Sequence, residues 1–431
     1  MAAEKGRSFS EGKTLLIDGP ASLLLLKGNV SILGATLKVG ERIVVREGKR
    51  LPLEVKKPSV LDLRMGESAS LTEVDGSTIP PSWRDASEEI ISDKKLMTVM
   101  VMGAVDSGKT SFCTYLVNKA LEKERNVGIV DADLGQSDVG PPGTIGFSHV
   151  TGSVRDLFEM EAEDACFVGV TSPSRAVAKL LNGVTALKNR ALGTGVNFLV
   201  INTDGWINGE DAAQYKVQMV ERLSPDAVVG IQQETELEPI LNTLRNVKIF
   251  RVGSPSAVKR RCQERRKVLR ELSYKKYLKG AKVRSFPLNW VRVEETSFGT
   301  WKPPTSEQME KVKEILGVAP LYYNETPTAL FLVLEKGQEI NEGRMGGLEQ
   351  GLGKRVKAIK KGEEEGLLVA LQDAQRGFLG IGILFSFDYE RGVIKVYTPV
   401  DERVSTICVG QMKLDKQGIE IGLSSIFADW V

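Results

Sequence analysis

Histidine is almost missing from this chain: its 431 residues include one, His149. That excludes every site built on paired imidazoles, the H-E-x-x-H zinc hydrolases among them. Cysteine is scarce as well, and Cys113, Cys166, Cys262 and Cys408 lie far apart with no C-x-x-C pair. Such spacing supports neither a disulfide framework nor a zinc site, so reduced thiols are expected. No hydrophobic run reaches the length of a membrane span, since the leucines at 23–26 are closed at once by Lys27 and Gly28. The opening residues Glu4, Lys5 and Arg7 introduce no apolar core of a leader peptide. A soluble, intracellular chain is the expectation, with no membrane partner. An excess of one charge is lacking too, because 58 Lys and Arg stand against 56 Asp and Glu. Any affinity for nucleic acid must then come from a local basic cluster.

What is present is a globular composition, 42% hydrophobic and 26% charged, in a chain too long for one ordinary core. Between Gly12 and Thr78, short β-type runs at 14–17, 21–26, 30–33, 43–45 and 51–55 alternate with glycine turns, which predicts a small all-β sandwich or barrel. The stretch from Ser77 to Trp83, with Pro80 and Pro81, reads as a linker. After it, candidate strands at 96–102, 126–130, 165–170, 197–201, 227–231 and 247–252 alternate with helical stretches. That alternation predicts a doubly wound, mainly parallel α/β sheet. Beyond Phe286 it stops, and Pro303, Pro304 and a helix over 307–316 lead into β-runs at 329–334, 366–371, 382–387 and 393–398.

The central α/β region opens on Val99-Met100-Val101-Met102-Gly103-Ala104-Val105-Asp106-Ser107-Gly108-Lys109-Thr110-Ser111. A buried-strand run feeds G-x-x-x-x-G-K-T, and Phe112, Tyr115, Leu116, Ala120 and Leu121 continue at helical spacing. This is a phosphate-binding P-loop, with residues 103–111 as its nucleotide contacts. The glycines let the backbone N–H groups turn inward, and the helix beyond Lys109 adds its N-terminal dipole. Lys109 would bridge the β- and γ-phosphates of ATP, and the Thr110 hydroxyl would ligate Mg²⁺. The fold class expected is therefore α/β: a central P-loop doubly wound sheet over residues 94–285, an N-terminal small all-β domain over 1–93 and a C-terminal β-rich domain over 286–431. In such sheets ligands gather at the carboxyl ends of strands.

Soon after the P-loop comes Val130-Asp131-Ala132-Asp133-Leu134-Gly135-Gln136. Two aspartates at i and i+2 beyond a strand point to the same side. Phosphoryl transfer has work for both, a positioned carboxylate for the attacking hydroxyl and acidic support for the metal. Asp133 is the candidate base and Asp131 the candidate for metal-water support; a capping role for either is the alternative.

The P-loop followed by D-x-D-x-G-Q, then Thr171-Ser172-Pro173-Ser174, then Asn202-Thr203-Asp204-Gly205-Trp206, resembles the polynucleotide 5′-hydroxyl kinase family. That family includes the RNA kinase subunit of eukaryotic pre-mRNA 3′-end processing and the kinase of pre-rRNA processing. The resemblance extends to Gly48-Lys49-Arg50-Leu51-Pro52 and Gly76-Ser77-Thr78-Ile79-Pro80, and is weakest in the last domain. It implies the same three-domain layout and transfer of the ATP γ-phosphate to the 5′-hydroxyl end of RNA or DNA. It also implies Lys49 and Arg50 as residues reaching the adenine. The compact chain looks more like a prokaryotic or archaeal member than a nuclear one, and a cytoplasmic location is expected from that. Other RNA-processing proteins are expected partners, with the chain a monomer or part of a hetero-complex.

The segment Val258 to Arg270 is crowded with cations and is read as a helix continuing to Lys279, with Val268, Leu269 and Leu272 as its apolar side. A solvated helix usually mixes signs, so the segment favours phosphate contact. As a lid it would bring guanidinium groups to the transferring phosphoryl. The family's lid arginines imply Arg261 and Arg266 first, Arg265 and Arg270 next. Trp206, between Gly205 and Ile207, offers an indole for a terminal base, the use family members make of it; burial under the next loop is the alternative. Thr171 and Ser172 suit a clasp on the sugar-phosphate, or a helix cap. Gln136, which closes the D-x-D-x-G-Q motif, completes the substrate-side set. Two other classes stay open: a GTPase or ATPase switch, suggested by Asn202-Thr203-Asp204 although it lacks the lysine and spacing of N-K-x-D, and an ATP-binding scaffold without catalysis.

Overall fold

The computed structural model describes residues 6–424 and 426, apart from 96, 260, 295–304 and 340–341. Pro303 and Pro304, named above, lie outside the described residues, as do Leu96 of the first candidate strand and Arg260 of the basic segment. The chain divides into two compact units, Met1–Arg270 and Glu271–Val431.

The first unit begins with β1 (Arg7–Phe9), β2 (Lys13–Asp18), β3 (Ala21–Ile32), β4 (Ala35–Thr36), β5 (Arg42–Val45), β6 (Arg50–Met65) and β7 (Ser70–Asp75). They form one seven-stranded sheet in the order β4-β3-β6-β2-β7, with β1 on β6 and β5 on β3. Period-2 alternation sends Leu51, Leu53 and Val55 of β6 into the core. The runs read separately at 21–26 and 30–33 are a single strand, whose register on β6 shifts around Lys27 and Asn29. Gly28 at the centre of this bulge has φ 105°, a conformation open to glycine.

Next come α1 (Pro81–Ser92), β8 (Thr98–Gly103), α2 (Lys109–Glu122), β9 (Val127–Ala132), β10 (Thr144–Val150), β11 (Asp164–Phe167), α3 (Val177–Gly193), β12 (Phe198–Thr203), α4 (Glu210–Leu223), β13 (Ala227–Gln232), α5 (Glu238–Leu241), β14 (Lys248–Gly253) and α6 (Gln263–Tyr277). The strands make a second seven-stranded sheet, β11-β10-β9-β12-β8-β13-β14. From β9 to β14 all neighbours are parallel; β10 and β11 are antiparallel. β8, β9 and β12 are buried at every residue, as parallel strands covered on both faces must be. The stretch read as a linker starts α1, with a proline in its first turn. Trp83 on α1 joins one apolar cluster running from Leu15 and Leu53 of the first sheet to Phe112 of α2 and Val101 of the second sheet.

The second unit holds β15 (Lys282–Pro287), β16 (Arg292–Glu294), α7 (Ser306–Leu316), β17 (Tyr322–Glu325), β18 (Ala329–Leu334), α8 (Glu342–Leu352), β19 (Arg355–Lys360), β20 (Leu367–Gln372), β21 (Phe378–Asp388), β22 (Val393–Thr398), β23 (Thr406–Leu414) and β24 (Glu420–Leu423). Its main sheet runs β15-β22-β21-β20-β23-β16, with β24 on β23, beside a three-stranded sheet β17-β18-β19. α7 opens on a capping box, Thr305 with Gln308, and closes on Gly317. Among the described residues no helix is long and apolar enough to cross a membrane.

Candidate active site

β8 ends at Gly103, the loop turns through Ala104 to Gly108, and α2 begins at Lys109. Gly108 stands at φ 99°, and a β-carbon there would lie 3.2 Å from the Pro255 ring and 3.4 Å from the Trp83 indole. Glycine therefore meets two demands, a left-handed backbone and a tight approach. Trp83 Nε1 donates to the Gly253 carbonyl at 2.9 Å and Ser254 Oγ donates to the Ser107 carbonyl at 2.9 Å. The segment after β14 is thereby fastened onto the P-loop. Inside the loop, the buried Ser107 hydroxyl has no hydrogen-bond partner among the described residues. Lys109 is 6% exposed and its Nζ donates to the Ala104 carbonyl at 2.8 Å. Burial lowers its pKa, opposed by the charges on Asp133 and Asp204. The Thr110 hydroxyl makes no hydrogen bond among the described residues.

Asp131 and Asp133 leave β9 together but are held differently. Asp131 is fully buried: its Oδ1 accepts from Asp133 N and Asn202 Nδ2, its Oδ2 from Asp138 N and Val139 N. Burial first, then the charges on Asp138 and Asp133, push its pKa up to about 7, against the pull of the Asp138 and Val139 amides. With both oxygens so engaged, Asp131 anchors the loop that follows it. Above the pH at which it ionises, Asp131→Asn sets an amide N–H against one pair of these donors. A buried donor left without an acceptor costs about 1–3 kcal/mol. The expected drop is read as a lowered denaturant midpoint, and an unchanged midpoint would contradict the anchoring role.

Asp133 keeps one oxygen in reserve. Its Oδ1 accepts from Gly135 N at 3.1 Å and Gln136 N at 2.9 Å, while Oδ2 has no partner among the described residues. Burial raises its pKa, Lys109 pulls it down, and Asp204 pushes it up again. The site thus presents a fixed carboxylate with one free oxygen, in the field of a desolvated lysine.

The remaining candidates converge on the same place. A β-carbon on Gly205 would stand 2.7 Å from Val105 N, so the backbone beside Trp206 lies directly against the P-loop. One on Gly135 would stand 3.0 Å from the Thr171 carbonyl, which puts the Thr171 turn against the D-x-D-x-G-Q loop. Thr171 and Ser172 are half-buried, and Ser172 Oγ lies 2.9 Å from Ser174 Oγ. Gln136 Nε2 donates to the Arg266 carbonyl at 3.2 Å.

The basic segment differs from its reading first at its start: α6 begins at Gln263, so Arg261 precedes the helix. Arg261 N donates to Asp106 Oδ2 at 2.8 Å, its Nη1 lies 3.3 Å from Asp106 Oδ1, and its Nε donates to the Gly48 carbonyl at 3.1 Å. Its backbone N–H is engaged by a P-loop carboxylate instead of a helical turn. Arg266 has a buried Nε without a hydrogen-bond partner among the described residues, Arg265 is exposed and Arg270 half-buried. Leu269 is buried and Val268 is 41% exposed, so the apolar side is narrower than the sequence suggested. Lys49 and Arg50 are held by carboxylates: Lys49 Nζ lies 2.8 Å from Asp138 Oδ2, and Arg50 Nη2 lies 2.8 Å from Asp18 Oδ2. Arg46 joins them, 3.2 Å from Asp138 and 2.6 Å from Asp156. The Lys49 and Arg46 pairs tie the first β-region to the loops of the second sheet, while Arg50–Asp18 joins two strands of the first.

Two residues escaped the sequence reading. Lys216 is 0% exposed, with Nζ 3.0 Å from Asp204 Oδ2 and 2.9 Å from the Asp204 carbonyl. Tyr215 donates its hydroxyl to Asp204 Oδ2 at 2.6 Å, and its ring stacks on Trp206, centroids 5.4 Å apart and planes 25° from parallel. Trp206 itself is half-buried. A signal existed: the buried stripe of α4 is Ala212, Tyr215, Lys216, Met219, Val220 and Leu223, and a lysine on such a stripe is one that must find a counter-charge.

Among the described residues no group of three or more His, Cys, Asp or Glu could hold a metal ion. A site of the Mg²⁺ type needs no such cage, since that ion keeps waters and phosphate oxygens around one or two protein ligands. The unpartnered Thr110 hydroxyl at the mouth of α2 fits this pattern.

Residues 103–280 match the family model described as mRNA cleavage and polyadenylation factor CLP1 P-loop. The chain is 26% identical over 350 residues to a polyribonucleotide 5′-hydroxyl-kinase of Methanocaldococcus jannaschii, covering 80% of this chain and 94% of that one. It is 27% identical over 350 residues to another of that name from Pyrococcus horikoshii, covering 80% and 93%. A CLP1 homolog of Brugia malayi is 25% identical over 321 residues, covering 68% and 74%. Among solved structures, Clp1p from a Clp1p–Pcf11p complex shares the mixed α/β fold, with TM-score 0.66 at 14% identity over 95% of this chain and 98% of that one.

Proposed function

We infer that this chain, which carries a CLP1-type P-loop region over residues 103–280, is an ATP-dependent polynucleotide 5′-hydroxyl kinase acting on RNA ends. The observation that carries the reading is Asp133: its Oδ1 is pinned by two backbone amides while its Oδ2 has no partner among the described residues, and it lies in the field of the P-loop lysine. A nucleoside triphosphate would lie along residues 103–111, its phosphates facing the loop N–H groups and Lys109. Asp133 accepts the proton of the 5′-hydroxyl as its oxygen attacks the γ-phosphorus; the P–O bond to ADP breaks as the new P–O bond forms. No covalent enzyme intermediate is required, because positioning and charge stabilisation supply the catalysis. Thr110 would hold Mg²⁺, which when bound neutralises charge on the β- and γ-phosphates. Arg261, fastened to the loop by Asp106, and Arg266 stabilise the charge developing on the transferring group, with Arg265 and Arg270 on the strand. Thr171, Ser172 and Gln136 contact the sugar-phosphate, and Trp206 stacks on the terminal base. DNA ends as acceptors, assembly with RNA-processing proteins and a cytoplasmic location belong to the same reading.

The stacking role has a sharp test. Base–aromatic stacking contributes about 1–3 kcal/mol, so Trp206→Ala raises the KM for a 5′-hydroxyl oligonucleotide by about 5- to 160-fold and leaves the ATP KM nearly unchanged. Equal changes in both constants would remove Trp206 from the acceptor site. Incubation with γ-labelled ATP separates the wider alternatives: label on the oligonucleotide marks a kinase, free phosphate alone a switch, and tightly retained ATP with neither product a scaffold.

A further inference from the structure

We propose that Tyr215 is a positioning residue for the acceptor strand, the rigid platform that fixes how Trp206 meets the terminal base. The proposal rests on the kinase reading of this site.

Asp204, at the end of β12, organises the platform. Its Oδ1 accepts the Trp206 backbone N–H at 2.9 Å and its Oδ2 accepts the Tyr215 hydroxyl at 2.6 Å. One carboxylate therefore fixes both the main chain that carries the indole and the ring beneath it. Lys216 holds the carboxylate in turn, through Oδ2 at 3.0 Å and the Asp204 carbonyl at 2.9 Å, with its ammonium 5.0 Å from the Tyr215 ring centroid. A buried ion pair of this kind is no more stabilising than a well-packed apolar pair and is often less so. A leucine at 216 would serve the core of α4 equally well. What the polar cluster adds is a defined geometry at residues 204–206, where Gly205 presses on Val105 of the P-loop.

Tyr215 is 2% exposed and has no access to substrate, so it acts through Trp206 alone. Its ring covers part of the indole at stacking distance, leaving the open part of a half-buried side chain to the base. An indole held this way loses little side-chain freedom when the strand binds, which is how preorganisation strengthens binding.

The test is a double-mutant cycle read as KM for a 5′-hydroxyl RNA against KM for ATP. An aromatic pair of this kind corresponds to about a 2- to 12-fold change, so Tyr215→Leu raises the RNA KM by that factor with the ATP KM unmoved. Tyr215→Phe, which keeps the ring, restores most of it. In a Trp206→Ala background, Tyr215→Leu has no further effect. Where leucine is not tolerated in folding, judged by circular dichroism, Tyr215→Met fills the volume without a ring and carries the same expectation. The proposal is overturned if Trp206→Ala raises the RNA KM while Tyr215→Leu does not, or if the two effects multiply independently. Failure of the kinase reading looks different: no transfer by the unaltered protein, or no effect of Trp206→Ala itself.

Discussion

Lys109→Ala lowers kcat for phosphoryl transfer by about 10²–10³-fold or more, the loss typical of removing one preorganised electrostatic partner of a transition state. The size follows from where the ammonium sits. Lys109 is buried at the mouth of α2 and hydrogen-bonded to its own loop at Ala104. A charge in a desolvated site acts on a neighbouring phosphate far more strongly than the same charge in water. Its pKa is lowered by burial and restored in part by the charges on Asp133, the candidate base, and Asp204. The substitution removes one hydrogen bond to a loop carbonyl at the edge of a ligand site, so the thermal midpoint should move little. Single-turnover kinetics with saturating ATP measure the effect, and a loss of less than tenfold would contradict the role given to Lys109.

Asp133→Asn is expected to lower kcat by about 10²–10⁴-fold, the usual contribution of a general base. Asparagine suits the test because its carbonyl oxygen can keep the Gly135 and Gln136 N–H groups that Oδ1 now accepts. The amide nitrogen then occupies the place of the free oxygen, and the loop keeps its shape while the base is gone. The pH profile adds a second readout. A base works when deprotonated, and burial raises the pKa of Asp133 above the ordinary aspartate value. Activity therefore falls on the acid side as pH drops through that raised value, earlier than for an exposed aspartate. In Asp133→Asn this acid limb disappears along with the rate. A variant that kept both would assign the proton transfer elsewhere.

The parts of this site that were legible in the sequence are those where one residue type has one physical use. Gly103, Gly108, Lys109 and Thr110 were readable because the loop needs small residues, a long cation and a hydroxyl at fixed spacing. Asp131 and Asp133 were readable as a pair, yet their division of labour was not. Which carboxylate is consumed by N–H donors depends on Asn202, Asp138 and Val139, residues brought together only by the sheet. Lys49 and Arg50 show the same limit: their partners Asp138 and Asp18 are distant in sequence, and the charges alone could not reveal that they are paired. The strand β10 went unread because Thr144 to Val150 follows a glycine-rich turn and returns antiparallel, against the alternation of strand and helix. α8 went unread because four glycines oppose its helical spacing. Arg261 was placed inside a helix because the cationic pattern runs through it unbroken, and only the acceptance of its N–H by Asp106 shows where the helix begins.

The most direct test of the account is the distance measured in a structure of the protein with a non-hydrolysable ATP analogue and a 5′-hydroxyl oligonucleotide bound together. The account predicts the leading 5′ oxygen about 3–3.5 Å from the γ-phosphorus and opposite the leaving oxygen, with Asp133 Oδ2 within hydrogen-bonding reach of it and the Trp206 indole on the terminal base. A strand bound with its 5′ oxygen away from the triphosphate, or with Asp133 facing neither reactant, would contradict it.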